Sequence, residues 1–217
     1  MDQGYSIIVP VSVAEDHWLT LIEQLKPILP RIEILLVMED DPGPLPLGVR
    51  FIKSPGTTRA AAMNRGAATC DRRFLLFLHA DTLLSPVKLT DLSQQIERST
   101  KALFYFAPLK FLDDGPKRCL INQWLINERA HLFDLPSGRQ GLAISRETFE
   151  ALGRFDETVT EGEDLILLRK ARKKGFMITK IEGPIYSSAR RFAKFGWFYG
   201  SLLACFKALK AWMRQID

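Results

Sequence analysis

Five short stretches of this 217-residue chain carry side chains that could do chemistry. In FLLFLHADT, Phe74–Thr82, an apolar run ends in His79-Ala80-Asp81. Side chains two apart on an extended chain point the same way, so a carboxylate and an imidazole could face one ion or phosphate. That pair suits Mg²⁺ or Mn²⁺ that also holds a diphosphate. The plainer alternative is an aspartate that closes a turn beside an incidental histidine. Glu39-Asp40-Asp41 could hydrogen-bond a ribose or a base edge, or be ordinary acids before Pro42-Gly43-Pro44. Pro55-Gly56-Thr57-Thr58-Arg59 leads into a small-residue helix, where Arg59 could fork onto a phosphate or lie exposed. Glu161-Gly162-Glu163-Asp164 opens a helix; the helix dipole favours acids there, and Asp164 or Glu163 could also act as general base. Arg190-Arg191, after Ser187-Ser188-Ala189, could hold a diphosphate leaving group or be a surface pair.

The elements around these residues alternate. YSIIV at Tyr5–Val9 ends at Pro10 and reads as a buried parallel strand. Trp18, Leu19, Leu21, Ile22 and Leu25 then recur at helical spacing, with Asp16 placed to cap them. Strands are predicted over Ile32–Met38, Val49–Ile52 and Phe74–Leu78, with helices over Thr57–Ala68 and Pro86–Ser99. This rhythm predicts an α/β fold with a Rossmann-like, mostly parallel sheet and helices on both faces. Such sheets bind ligands at the C-terminal ends of their strands. Pro10, the acids at 39–41 and His79-Ala80-Asp81 all follow strands directly, so they are expected to converge. Further on, strands are predicted over Ala102–Phe106, Gly141–Ser145 and 176–181. Helices are predicted over Lys117–Leu132, Glu147–Leu152, Gly162–Lys174 and Lys194–Arg214, and Asp134–Gln140 reads as a polar loop. With no repeat or linker, one domain over 1–217 is expected.

Composition narrows the function. Hydrophobic residues at 47% and charged residues at 25% are ordinary globular values. The 3 cysteines, Cys70, Cys119 and Cys205, form no CxxC pair, so neither a disulfide framework nor a zinc knuckle is expected and a reducing, cytoplasmic setting is. The N-terminal run lacks the basic start of a secretory signal, and no stretch reaches the roughly 18 apolar residues of a membrane span. Residues 165–217 hold 12 Lys and Arg against 2 Asp and Glu, while residues 1–164 hold 18 against 23. The aromatic and basic segment 194–217 could touch an anionic membrane peripherally, pack on the core, or form a homodimer. Basic residues confined to one tail, with no binding motif, argue against nucleic acid.

Together these stretches resemble bacterial family-2 glycosyltransferases of the GT-A fold, and most closely their short single-domain subfamily of arsenosugar-biosynthesis type. The matching runs are Ser6–Val11, Thr57–Ala67, Phe74–Thr82, Gln140–Glu157, Glu161–Gly175 and Ser187–Phe192. The resemblance implies an inverting, hexosyltransferase-type enzyme that moves a sugar from a nucleotide-diphospho-sugar donor to an acceptor hydroxyl. It implies a nucleotide site at Pro10, Glu39, Asp40, Arg59, Asn64 and Asp81. A divalent metal, Mg²⁺ or Mn²⁺, would sit on Asp81 and His79. Asp164, with Glu163, would form the base side, and Arg190 and Arg191 would offset charge on the departing diphosphate. The chain departs from the family at Ser12-Val13-Ala14-Glu15 and at the turn Glu39–Pro44, both in the nucleotide half. Two other readings stay open: a catalytically silent nucleotide- or sugar-binding relative, and a nucleotidyltransferase.

Overall fold

Every residue of the first strand is buried, which a strand covered on both faces requires. Its side chains alternate between two cores. Ile7 and Val9 point to one side, with Leu21, Leu25, Leu89 and Leu92; Ile8 points to the other, with Ala60, Met63 and Ala67. The computed structural model describes residues 4–12, 16–29, 32–98, 102–190 and 192. In chain order the elements are β1 (Tyr5–Pro10), α1 (His17–Leu25), β2 (Glu33–Met38), β3 (Val49–Lys53), α2 (Arg59–Thr69), β4 (Phe74–Phe77) and β5 (Thr82–Leu83). There follow α3 (Pro86–Arg98), β6 (Ala102–Phe111), α4 (Cys119–Phe133), β7 (Leu142–Ser145), α5 (Arg146–Ala151), α6 (Glu163–Lys173) and β8 (Met177–Ser187).

The strands form one eight-stranded sheet in the order β3-β2-β1-β4-β7-β6-β8-β5. The first four run parallel. β7 then enters antiparallel to both β4 and β6, β8 returns parallel to β6, and β5 closes the edge antiparallel to β8. The sheet is therefore parallel over its first four strands and mixed beyond them. Nothing in a four-residue apolar run such as Leu142–Ser145 encodes direction; the chain path through α4 sets it. β6 and β8 are longer than their predicted spans because they pair along most of their length, with one register shift between Ala107 and Leu109. α1 starts after Asp16 as expected, but Asp16 makes no side-chain cap bond. α2 is capped instead by Thr58, whose hydroxyl accepts from the Ala61 N–H.

α2 lies close to the sheet because Gly66 permits it. A Cβ there would stand 2.6 Å from Cγ2 of Ile8 and 2.9 Å from Cγ2 of Val37. The second face is completed by α5 and α6, which bring Phe149, Leu167 and Leu168 onto Ile144 and Leu75. Phe77, Phe149 and Phe155 form an aromatic triad with centroids 4.8–5.2 Å apart, mostly edge to face. Arg146 ties the far end of β7 to α2 by donating to the carbonyls of Ala67 and Cys70. The helix predicted over Lys194–Arg214 lies outside the described residues.

Candidate active site

β1 and β4 are neighbours in the middle of the sheet and end at one edge. The Leu78 N–H donates to the Ile8 carbonyl at 3.0 Å, and the Thr82 N–H then donates to the His79 carbonyl at 3.1 Å. The chain thus leaves the sheet and turns within two residues. Ala80 is small enough to be buried there, while His79 and Asp81 on either side of it are half-buried.

A short turn between α4 and β7 faces them. Ser137 and Gln140 close it on itself: the Ser137 N–H donates to Oε1 of Gln140 at 3.0 Å, and the Arg139 N–H donates to Oγ of Ser137 at 3.4 Å. Gln140 is fully buried, and its Nε2 donates to the Phe106 carbonyl at 3.4 Å, which fixes the turn to β6. Two residues of this turn reach the two halves of the site. The Gly138 N–H donates to Oδ2 of Asp164. Nη1 of Arg139 donates to Oγ of Ser187 at 2.7 Å, to the Ser188 carbonyl at 3.2 Å and to Oδ2 of Asp81 at 3.4 Å. Oγ of Ser187 also reaches Oδ2 of Asp81 at 3.3 Å. The guanidinium lies 5.8 Å from the centroid of the Phe111 ring. A Cβ on Gly138 would stand 3.0 Å from Oδ2 of Asp164 and 3.1 Å from Nε2 of His79, so glycine lets both approach.

α6 opens beside this turn, with Gly162 in the left-handed region at φ 84° and Glu163 and Asp164 in the first turn. Glu163 is only 1% exposed. Its Oε1 accepts from Nε of Arg59 at 2.5 Å, and its Oε2 is buried without a hydrogen-bond partner. Burial pushes this carboxyl above the usual carboxylate range, Arg59 pulls it back, and the neighbouring Asp164 charge raises it further. Nη1 of Arg59 lies 3.1 Å from Nε2 of His79. A guanidinium can only donate, so Nε2 accepts and the neutral ring carries its proton on Nδ1. Arg59, at the first position of α2, thereby joins α2, α6 and the end of β4.

The expected site residues divide accordingly. His79, Asp81, Arg59, Glu163 and Asp164 are gathered around Gly138 and Arg139. Pro10 is buried at the same sheet edge, paired with Val37. Glu39 and Asp40 are exposed just beyond β2, two strands from β4, in a turn that Asp41 tightens by accepting the Gly43 N–H at 2.8 Å. Asn64 is buried, and its amide bonds the Phe155 carbonyl at 2.9 Å, Oε1 of Glu157 at 2.8 Å and the Phe155 N–H at 3.2 Å, which ties α2 to the turn after α5. Nε of Arg190 bonds Oγ of Ser188 at 3.0 Å and pairs with Asp114 at 3.3 Å. Arg191 lies outside the described residues. Glu163, expected beside the base, is buried against Arg59. Arg139, Gly138, Ser187 and Asp114 were not among the expected site residues. The sequence signal for the first two is the Ser137-x-x-Gln140 spacing, which marks a built turn within the expected polar loop.

The Glycosyl transferase family 2 sequence model matches residues 6–137, more than half of the chain. The chain belongs to glycosyl transferase family 2. No curated protein matches by sequence. Solved structures agree on the fold of this family-2 chain. A mannosyltransferase, PcManGT from Pyrobaculum calidifontis in complex with GDP-Man and Mn²⁺, aligns over 97% of this chain and 64% of its own, with TM-score 0.67 and 15% identity. S. aureus TarS 1-349 in complex with UDP-GlcNAc aligns over 86% of this chain and 58% of its own, with TM-score 0.62 and 16% identity. S. aureus TarS aligns over 88% of this chain and 38% of its own, with TM-score 0.61 and 16% identity. The family-2 chain thus spans about two fifths to two thirds of these proteins, and the shared fold is that of GT-A glycosyltransferases.

A resident divalent metal can be tested against this family-2 site. The donor types suit Mg²⁺ or Mn²⁺, but both side chains are engaged by guanidinium groups. Among the described residues no three His, Cys, Asp or Glu side chains come together as ligands. Asp81 turns its Oδ2 to a guanidinium and a hydroxyl, and His79 turns its Nε2 to a second guanidinium. The side chains as they stand do not fit a protein-held cation.

Proposed function

We propose that this chain transfers a glycosyl group from a nucleotide-diphospho-sugar to an acceptor hydroxyl in a single inverting displacement, and that the donor is a hexosyl nucleotide. The observation that carries the reading is the gathering of Asp81 and Asp164 on the two residues Gly138 and Arg139. Family membership supports the reaction class.

In this reading the nucleotide lies along the C-terminal ends of β1 and β2, near Pro10, Glu39 and Asp40. Its diphosphate faces the cationic side formed by Arg139, Arg59 and Arg190. Asp164 is the base. It accepts the proton of the acceptor hydroxyl as that oxygen bonds the anomeric carbon, and the bond from that carbon to the diphosphate breaks with its electron pair on phosphate. Charge then grows on the diphosphate oxygen, where a fixed guanidinium lowers the barrier most. Glu163 holds Arg59, and Arg59 holds His79; neither Glu163 nor Asn64 meets substrate.

Release of nucleoside diphosphate from a panel of sugar nucleotides and acceptors tests this. Asp164→Asn is expected to lower turnover about 10²–10⁴-fold, the usual worth of a general base. Unchanged turnover in Asp164→Asn would remove the assignment, and donor binding without transfer would favour the catalytically silent relative. Peripheral contact of residues 194–217 with an anionic cytoplasmic membrane face belongs to the same proposal. No helix among the described residues is long and apolar enough to cross a membrane. Support comes from the exposed apolar side chains Leu120, Ile121, Trp124 and Leu125 on α4, whose first residue, Cys119, packs on Phe192. Co-sedimentation with anionic vesicles should fall when residues 194–217 are removed; equal recovery would exclude this contact and leave packing or a homodimer.

A further inference from the structure

Asp81 presents a problem for the reaction just proposed. A carboxylate at the diphosphate position repels the donor unless a cation lies between them, and Oδ2 of Asp81 here faces a guanidinium. The structure already supplies a cation. Arg139 is held through one nitrogen, Nη1, by Ser187, the Ser188 carbonyl and Asp81, and its guanidinium lies near the face of Phe111. Its side chain is 16% exposed and that of Asp81 is 15%, so the pair is screened from water yet still reachable from the crevice. A planar guanidinium bonds phosphate oxygens through parallel N–H groups and never loses its charge. A divalent ion placed on Asp81 would have to enter against this fixed positive charge.

We propose that Arg139, with Asp81 as its anchor, takes the place of the divalent cation, so that the donor diphosphate binds and departs without metal. This rests on the glycosyltransferase reading above. Asp81 then orients Arg139 and never coordinates an ion. Arg139 touches the diphosphate directly and offsets the charge that grows as the sugar leaves. The cation is built into the chain, so its affinity for donor does not depend on the concentration of any ion.

Calorimetric titration of UDP and GDP into the full chain tests both claims separately. With EDTA present, the wild type is expected to bind one of the two, and saturating Mn²⁺ or Mg²⁺ should change the dissociation constant by less than about 2-fold. Arg139→Gln should weaken binding in EDTA by roughly 10–100-fold, in line with the loss of a charge-assisted hydrogen bond, and Arg139→Lys should recover part of it. Mn²⁺ followed by electron paramagnetic resonance should show no tight site on the protein without nucleotide. Nucleotide binding by the wild type that requires Mn²⁺ or Mg²⁺ overturns the proposal and leaves the glycosyltransferase reading standing. This arm needs no variant, so it decides even if Arg139→Gln fails to fold. Binding of neither nucleotide under either condition, with sugar nucleotides also silent, overturns both.

Discussion

At the scale of single residues, the hardest electrostatic position is that of Glu163, buried with one oxygen on Arg59 and the other without a partner. Burial penalises the carboxylate more than Arg59 rewards it, so the folded protein holds this proton to higher pH than the unfolded chain, whose carboxyl gives it up near 4.5. The folded state therefore binds more protons above that pH, and its stability falls as pH rises through the window above 4.5. Glu163→Gln keeps the shape and removes the titration. Its melting temperature relative to wild type should climb as pH is raised from about 4 towards neutrality. A relative fall would mean that the ion pair with Arg59 outweighs burial. Much of this residue-scale chemistry was legible in the chain: His79, Asp81, Glu163 and Asp164 stood out because each follows a strand or opens a helix. Arg139 did not, because its partner Asp81 lies 58 positions away and the turn that carries it reads as ordinary polar loop. Asp114 was hidden for the same reason, 74 positions from Ser188.

Among elements, two glycines do opposite work. Gly66 lets α2 settle on β1 and β2, and Gly138 lets a turn settle between Asp164 and His79. Gly66→Ala drives a methyl into Ile8 and Val37, and overpacking of that kind costs about 1–3 kcal/mol. Gly138→Ala meets only the ends of two polar side chains, so the fold should survive while the crevice opens. Thermal melts and turnover measured on both variants should dissociate: lower melting temperature for the first, lower turnover at nearly unchanged melting temperature for the second. Equal loss of both properties in both variants would show that the turn is part of the folding core. The helix that holds Gly66 was legible from its small-residue run, whereas the turn that holds Gly138 read as a polar loop. The antiparallel entry of β7 was not, because a short buried run looks the same in either direction. β5, with two residues, is too short to leave any pattern.

Across the whole molecule, one sheet carries the candidate site, with the parallel strands on one side of it and the mixed strands on the other. The alternation of strand and helix over the first hundred residues made the donor half legible. The rest depends on pairings that no local pattern announces, such as β8 lying between β6 and β5. The turn at Ser137–Gln140 is where the two sides meet, and neighbouring residues of it hold Asp164 and Asp81. Under the proposed function, a diphosphate that displaces Arg139 would also move the neighbouring Gly138 amide and loosen its hold on Asp164. Donor binding would then precede release of the base, and an acceptor that came first would meet a carboxylate still restrained. Steady-state kinetics should accordingly show compulsory order, with nucleoside diphosphate competing against donor alone; competition against both substrates would mean that the two ends of the turn move independently.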